Sequence, residues 1–292
     1  MNKVKIAEII STITNPPIIT IPLFLLICIV LSFDNGVFDF NKFIVLELVS
    51  LVFASILPMA IILFWAKKLN TDKDISNRQD RFTPLIVGIV SYFIGFLISL
   101  FFNLDNFLTI LLLCYSVNTG VVLMITFKWK ISVHTTGLSG PVGALILLLG
   151  PYGAAFGILY PLMIWSRVLL KKHTLSQAIC GGVQGFFLTV VEMYLFMYLF
   201  NMPITGMISL RSSILYIIAI IATPVILGML YYYEFENQIL AFSALEIITF
   251  LLLAIFGYEY IIIIFLLITA VTVLITYFAG EDFAWFKALK SS

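Results

Sequence analysis

Apolar runs follow one another along the whole chain, at residues 17–33, 43–65, 84–103, 107–127, 137–150, 152–165, 177–200, 212–233, 238–256 and 259–279. A membrane-spanning helix needs about 20 mostly apolar residues, and most of these runs meet or approach that length. The runs at 137–150 and 152–165 fall short. Gly150-Pro151-Tyr152-Gly153 between them is turn chemistry, so 137–165 is predicted to be a tight helical hairpin. The alternative, one long kinked helix, would put residues 134 and 166 on opposite faces of the membrane. The last two runs are parted only by the short break around Gly257 and Glu259. Ahead of the first run, Ile6, Ile9, Ile10 and Ile13 recur at helical spacing beside Lys3 and Lys5, which predicts an amphipathic helix at the membrane surface. No small-residue cleavage site closes the first run as it would in a signal peptide. The pattern predicts an all-α, polytopic helix bundle of about ten spans. With no linker and no internal repeat, residues 1–292 form a single domain.

Composition agrees with this reading. Charged residues make up 11% of the chain and the mean hydropathy is +1.14, whereas a soluble domain carries about a quarter charged residues. A net charge of +1 without a basic run gives no surface for nucleic acid. Cys28, Cys114 and Cys180 lie in or beside apolar segments and fit neither a zinc site nor a disulfide framework. With the amino terminus placed inside, fourteen Lys and Arg fall on the inner side and two, Lys42 and Arg211, on the outer. Setting aside four candidate site cations still leaves ten against two. By the positive-inside rule this orientation is favoured, and the polar loops then face the cytoplasm.

Three of those loops, 66–83, 128–136 and 166–176, share one face and hold nearly all the polar chemistry. The third reads Ser166-Arg167, five residues, His173, three residues, Gln177. His173 and Gln177 are one helical turn apart and share a face. An amide oxygen there can accept from one imidazole nitrogen and leave the other unprotonated as a nucleophile. Arg167 can grip two phosphate oxygens in a fork. The second loop holds Lys130, Ser132 and His134; His134 could donate a proton or simply cap the next helix. The first loop holds Lys73, Arg78, Arg81 and Pro84 among Asp72, Asp74 and Asp80.

The third loop resembles the signature S-R-x5-H-x3-D of the type 2 phosphatidic acid phosphatase superfamily, with Gln177 in the last place as in its dolichyl-diphosphatase-like and glucose-6-phosphatase-like branches. The second loop is similar to P-S-G-H at Ser132 and His134, with Ile131 and Val133 in place of Pro and Gly. The first is a loose form of K-x6-R-P, in which Arg81 is matched and Lys73 and Arg78 are interchangeable. The resemblance covers roughly residues 73–180. It implies a phosphatase-like core of six helices at about 43–200 and leaves helices 212–279 unassigned. It also implies that His173 attacks phosphorus, that Gln177 orients it, that His134 protonates the leaving group and that Arg167, Arg81, Lys73 or Arg78, Ser132 and Ser166 bind phosphate. The chemistry so implied is hydrolysis of a lipid phosphate or diphosphate through a phosphohistidine, with no metal or other cofactor. Which lipid is bound, and in what oligomeric state, stays open.

Two other classes compete. The acidic residues of the first loop fit one Asp-rich magnesium–diphosphate loop of an intramembrane prenyltransferase, but a second such loop is missing. Ten spans with Asn118, Glu192 and Glu246 inside the apolar runs would also suit a transporter or a non-catalytic lipid-phosphate-binding protein, since acidic groups in lipid are costly and often functional. Glu192 lies about 22 Å along a helix from Gln177, too far to share chemistry with His173.

Overall fold

The structure is a computed structural model, and it describes residues 3–68, 77–202, 206–218 and 220–221. The described residues are overwhelmingly helical. Five helical stretches are long and apolar enough to cross a membrane: 40–68, 79–101, 106–126, 151–169 and 175–199. A sixth arises if α1 (Lys3–Ile13) and α2 (Pro16–Leu31), bent by 57°, count as one span. The chain is therefore a multi-pass membrane protein. The first seven predicted runs each coincide with a helix. The eighth begins in helical residues 210–218, and the runs at 238–256 and 259–279, with Glu246, lie outside the described residues.

The second span shows how local sequence sets local structure. It is built of α3 (Phe40–Ser50), a π-helical turn at Leu51–Ile56 and α4 (Leu57–Lys68). Pro58 has no N–H for the carbonyl of Ala54, four residues back. The widened turn bonds Leu57 N to Val52 O instead. The Ala54 carbonyl accepts from Thr20 Oγ1 at 3.4 Å and the Phe53 carbonyl from Ser91 Oγ at 2.7 Å. In lipid such groups have no water to turn to, so the defect is placed where α2 and α5 (Phe82–Phe101) supply hydroxyls.

The middle of the bundle is α6 (Asn106–Thr126), α7 (Val133–Leu149) and α10 (Leu175–Leu199), with α2 along α7. Residues 107–116 of α6 are all buried. At 17 residues, α7 is about 26 Å long, short of the hydrocarbon thickness. It stops at Gly150, whose φ of +57° is open to glycine, and the chain returns through α8 (Pro151–Ala154), a 3₁₀ turn (Ala155–Ile158) and α9 (Leu159–Leu169). The predicted hairpin is present, and residues 134 and 166 lie at the same end. Close approach of α10 to α7 depends on glycines of α10: a Cβ at Gly181 would overlap Thr135, and one at Gly185 would overlap Ser139.

The two ends of the bundle differ sharply in charge. At one end Lys42 pairs with Asp105 at 2.9 Å, and Arg211 lies in the first turn of the helix beyond the hairpin tip. The other end carries Lys67, Lys68, Arg78, Arg81, Lys128, Lys130, Arg167, Lys171 and Lys172.

Candidate active site

Each of the three polar loops is shaped by its own helix ends. After α9 the chain folds back on itself: the Arg167 carbonyl accepts from Lys172 N at 3.0 Å and His173 N at 3.4 Å. Lys171 takes the left-handed conformation, φ +52°, that such a reversal requires. This is the physical sense of the five-residue spacing. It is the length that closes a helix end and returns the histidine backbone to the arginine it left. Thr174 then caps α10 by accepting from Gln177 N at 3.3 Å, while Gln177 Oε1 accepts from Thr174 N at 3.2 Å, a reciprocal capping box.

That box also settles the state of His173. Because Gln177 Oε1 accepts from Thr174 N–H, its amide orientation is fixed, and the same oxygen lies 3.3 Å from His173 Nδ1. An oxygen there can only accept, so Nδ1 carries the proton and Nε2 keeps its lone pair. His173 is 6% exposed, and its Nε2 is buried with no hydrogen-bond partner among the described residues. Burial and the charges of Arg81, Arg167 and Lys130 push the imidazole pKa down to about 3. The ring is neutral at physiological pH and is surrounded by positive charge, which is the state a nucleophile towards an anion needs. Between about pH 6.5 and about 3 the unfolded chain holds a proton here that the folded protein does not, so acidification across that window weakens the fold.

The pKa depression yields a direct test. In a His134→Asn protein, His173 is the sole histidine, and acylation by diethylpyrocarbonate requires the neutral ring. Its rate, corrected for reagent hydrolysis, should stay flat from pH 7 to pH 5, where an ordinary histidine loses about twenty-fivefold. A rate that falls with a midpoint near 6.5 would show an ordinary, unperturbed ring.

The other loops close on this centre. Arg81 ends a 3₁₀ turn, Gln79–Arg81, is 5% exposed and donates from Nη1 to the Ile131 carbonyl at 3.3 Å. Lys130 Nζ donates to the Lys172 carbonyl at 3.0 Å, and Ser132 N to the Gln177 carbonyl at 3.2 Å. Ser132, not His134, caps α7, its Oγ accepting from Thr135 N at 3.4 Å. His134 is 6% exposed and lies within electrostatic reach of Arg167, His173, Arg81 and Lys172. Arg167 is fully buried and donates from Nη1 to Ser11 Oγ of α1 at 2.7 Å.

Thus His173, Gln177, His134, Arg167, Arg81 and Ser132 come together at one end of the bundle. Ser166 is different: its hydroxyl is buried and donates to the Met163 carbonyl at 2.9 Å, back along its own helix. Among the described residues its hydroxyl makes no hydrogen bond to another loop of the centre. Arg78 is half-buried and offers its carbonyl to Arg81 N at 3.3 Å; among the described residues no hydrogen bond links its guanidinium to the centre. Lys73, with Asp72 and Asp74, lies outside the described residues. Two members were not assigned from sequence. Lys130 belongs to the second loop and could have been found by its place two residues before Ser132. Ser11 lies 156 positions from its partner, and no local signal marks it.

Below the centre a buried polar ladder ties α6, α7 and α10. Thr136 Oγ1 donates to Gln184 Oε1 at 3.1 Å, Gln184 Nε2 to Asn118 Oδ1 at 3.1 Å and Asn118 Nδ2 to Thr189 Oγ1 at 3.0 Å. Asn118 is thereby a helix-joining group. Glu192, 7% exposed, lies deeper on α10 beside Cys114. A cavity of about 130 Å³ opens between α2, α5, α6 and α7. Arg81 and His134 line it at the charged end, and Gly88, Tyr92, Tyr115 and Gly140 line its apolar depth. His173 and Arg167 are not among its walls. Among the described residues no three of His, Cys, Asp and Glu converge as metal ligands would.

No protein-family model matches the chain, and neither a curated protein nor a solved structure is detectably similar to it. The functional reading therefore stands on the residues and their geometry.

Gln177 serves two neighbours at once, so its replacements should separate by reach. Gln177→Ala should lower turnover by about ten- to a hundredfold and cost about 1 kcal/mol of stability through the lost cap. Gln177→Glu keeps an acceptor at the same distance and should retain most of both. Thermal melts and initial rates on the two variants check this; equal loss in both would remove Gln177 from the orienting role.

Proposed function

We propose that this protein is an integral-membrane phosphatase that removes phosphate from a lipid phosphate or diphosphate through a phosphohistidine at His173. One observation carries the reading: a neutral imidazole whose Nδ1 is held by Gln177 Oε1 and whose Nε2 is bare, amid three buried or half-buried cations. A lone pair and a concentration of positive charge are the two requirements for attack on a phosphoryl group. The resemblance of the three loops to the type 2 phosphatidic acid phosphatase signatures supports the same assignment, with the phosphatase-like core at about 43–200.

In this mechanism Nε2 attacks phosphorus and the P–O bond to the lipid breaks. Arg167, Arg81 and Lys130 stabilise charge on the equatorial oxygens, the largest contribution to such a step. His134 acts as the acid that protonates the leaving oxygen, for which it must enter the step charged; the bound phosphate supplies the negative charge that favours this. Water, giving a proton to the now neutral His134, then attacks phosphorus, the P–Nε2 bond breaks, and inorganic phosphate leaves with His173 restored to its neutral state. The apolar cavity that opens beside Arg81 and His134 gives the lipid chain a place within the bundle. The cationic end, by the positive-inside rule, faces the cytoplasm. Lys171 is exposed, and a Lys171→Cys protein, with Cys180 replaced by Ser, should resist an impermeant thiol reagent added from outside. Labelling from outside would reverse the orientation and leave the chemistry untouched.

The deciding assay is phosphate release from purified protein over a panel of lipid mono- and diphosphates, with EDTA present and with vanadate as inhibitor. Release that survives EDTA and is blocked by vanadate is expected. Release that needs magnesium, or transfer of the lipid without free phosphate, favours the prenyltransferase alternative. Binding of lipid phosphate without any release points to a non-catalytic scaffold.

A further inference from the structure

We propose that Ser11, on the amino-terminal surface helix, is a positioning residue for Arg167. The inference rests on the phosphatase reading of the same centre.

Helix α1 meets the bundle through small side chains. Ala7, Ser11 and Thr14 are buried, while Ile9 and Ile13 stay exposed to the side that lipid would occupy. The stripe at spacings of four and three is one helix face, and it packs on α9, the helix that carries Arg167. Small residues let the two helices approach closely, and Ser11 is the position where a polar group meets one. Its Oγ accepts from Arg167 Nη1 at 2.7 Å, with Ser11 at 6% and Arg167 at 0% exposure. A short, buried hydrogen bond to a charged guanidinium is among the stronger single contacts in proteins.

The geometry of the guanidinium matters because a forked grip on phosphate depends on its orientation, not only on its charge. Arg167 hangs near the end of α9, beside the reversal that delivers His173. Ser11 binds it from a segment far away in sequence. The elbow that follows α1 leads to the same region: Asn15 and Pro16 line the cavity on which Arg81 and His134 also open. The segment that leaves α1 therefore borders the cavity beside Arg81 and His134, and within α1 it is Ser11 that contacts the arginine.

The test compares Ser11→Ala, Ser11→Thr and, as a control on the exposed side of the same helix, Thr12→Ala. With a lipid phosphate, Ser11→Ala should lose about ten- to thirtyfold in kcat/KM, Ser11→Thr should restore most of it and Thr12→Ala should match the unaltered protein. The decisive comparison repeats Ser11→Ala in an Arg167→Lys background. A positioning residue acts through Arg167, so its loss there should change kcat/KM by less than about twofold. The proposal is overturned if Ser11→Ala keeps the full rate, or if the loss is equal in both backgrounds, since a merely structural helix contact would add independently. Where alanine impairs insertion, Ser11→Cys, of similar shape but a far weaker acceptor, carries the same comparison. If the unaltered protein releases phosphate from no lipid phosphate, the phosphatase reading fails by itself. Orthovanadate binding by calorimetry then decides the role of Ser11: weaker binding to the Ser11→Ala protein supports it, and equal or absent binding in both overturns it.

Discussion

Replacing His173 with alanine should reduce phosphate release by at least about a thousandfold while the protein still inserts and folds. The substitution removes the imidazole whose Nδ1 is held by Gln177 and whose buried Nε2 lies amid Arg81, Arg167 and Lys130. It leaves the structural contacts around it in place. The capping box of α10 is made by Thr174 and Gln177, and the reversal after α9 by backbone groups. Loss of activity would therefore report chemistry and not collapse of the loop. Initial rates with a lipid phosphate, together with a monodisperse elution profile in detergent, make the measurement. A His173→Ala protein that works at the unaltered rate would end the phosphohistidine mechanism and reduce the motif resemblance to a shared scaffold. Trapping is the positive counterpart: labelled phosphate should remain on the unaltered protein after an alkaline quench, since phosphohistidine survives base and is cleaved by acid.

Arg167→Lys should lower kcat/KM by about a hundred- to a thousandfold. Charge is kept, but the planar fork is lost, and with it the simultaneous grip on two oxygens that the proposed mechanism assigns to Arg167. The site is fully buried, so water cannot fill the missing donor positions without disturbing the packing of α1 on α9. The loss should fall mainly on kcat, because the fork fits the transition state better than the ground state. A variant within about threefold of the unaltered protein would show that Arg167 is a structural cation, bound to Ser11 for the sake of the helix contact alone. Arg167→Ala would be a poorer test, since it leaves a cavity beside buried polar groups and risks the fold.

Much of this protein is legible from residue order. The apolar runs, the turn at Gly150 and the scarcity of charge determine a helical membrane bundle, because lipid admits no other continuous structure for such segments. The third loop is legible for a related reason. Arg167, His173 and Gln177 are joined by local geometry, a helix end, a reversal at Lys171 and a helix start, and local geometry repeats wherever the spacing repeats. Gln177 was readable as a partner of His173 from the one-turn interval, although its second bond, to Thr174 N, follows from the capping position and not from the chemistry.

Other features follow from tertiary structure alone. Ser166 looked equivalent to its neighbour Arg167, yet on a helix adjacent positions point about 100° apart, and only packing selects which one turns to the centre. Arg81, not Arg78, makes a side-chain hydrogen bond into the second loop, a choice that two arginines three apart leave open until the loop meets Ile131. Lys130 joins the centre because its reach ends on the Lys172 carbonyl. Ser11 joins it because α1 lies across α9. The ladder from Thr136 to Thr189 likewise needs three helices side by side before any of its hydrogen bonds exists. Sequence determines what each segment must do to satisfy its own backbone and its own apolar face. Which polar side chains then meet across segments is decided by helix rotation and depth, set by close contacts such as Gly181 on Thr135, that no single segment encodes.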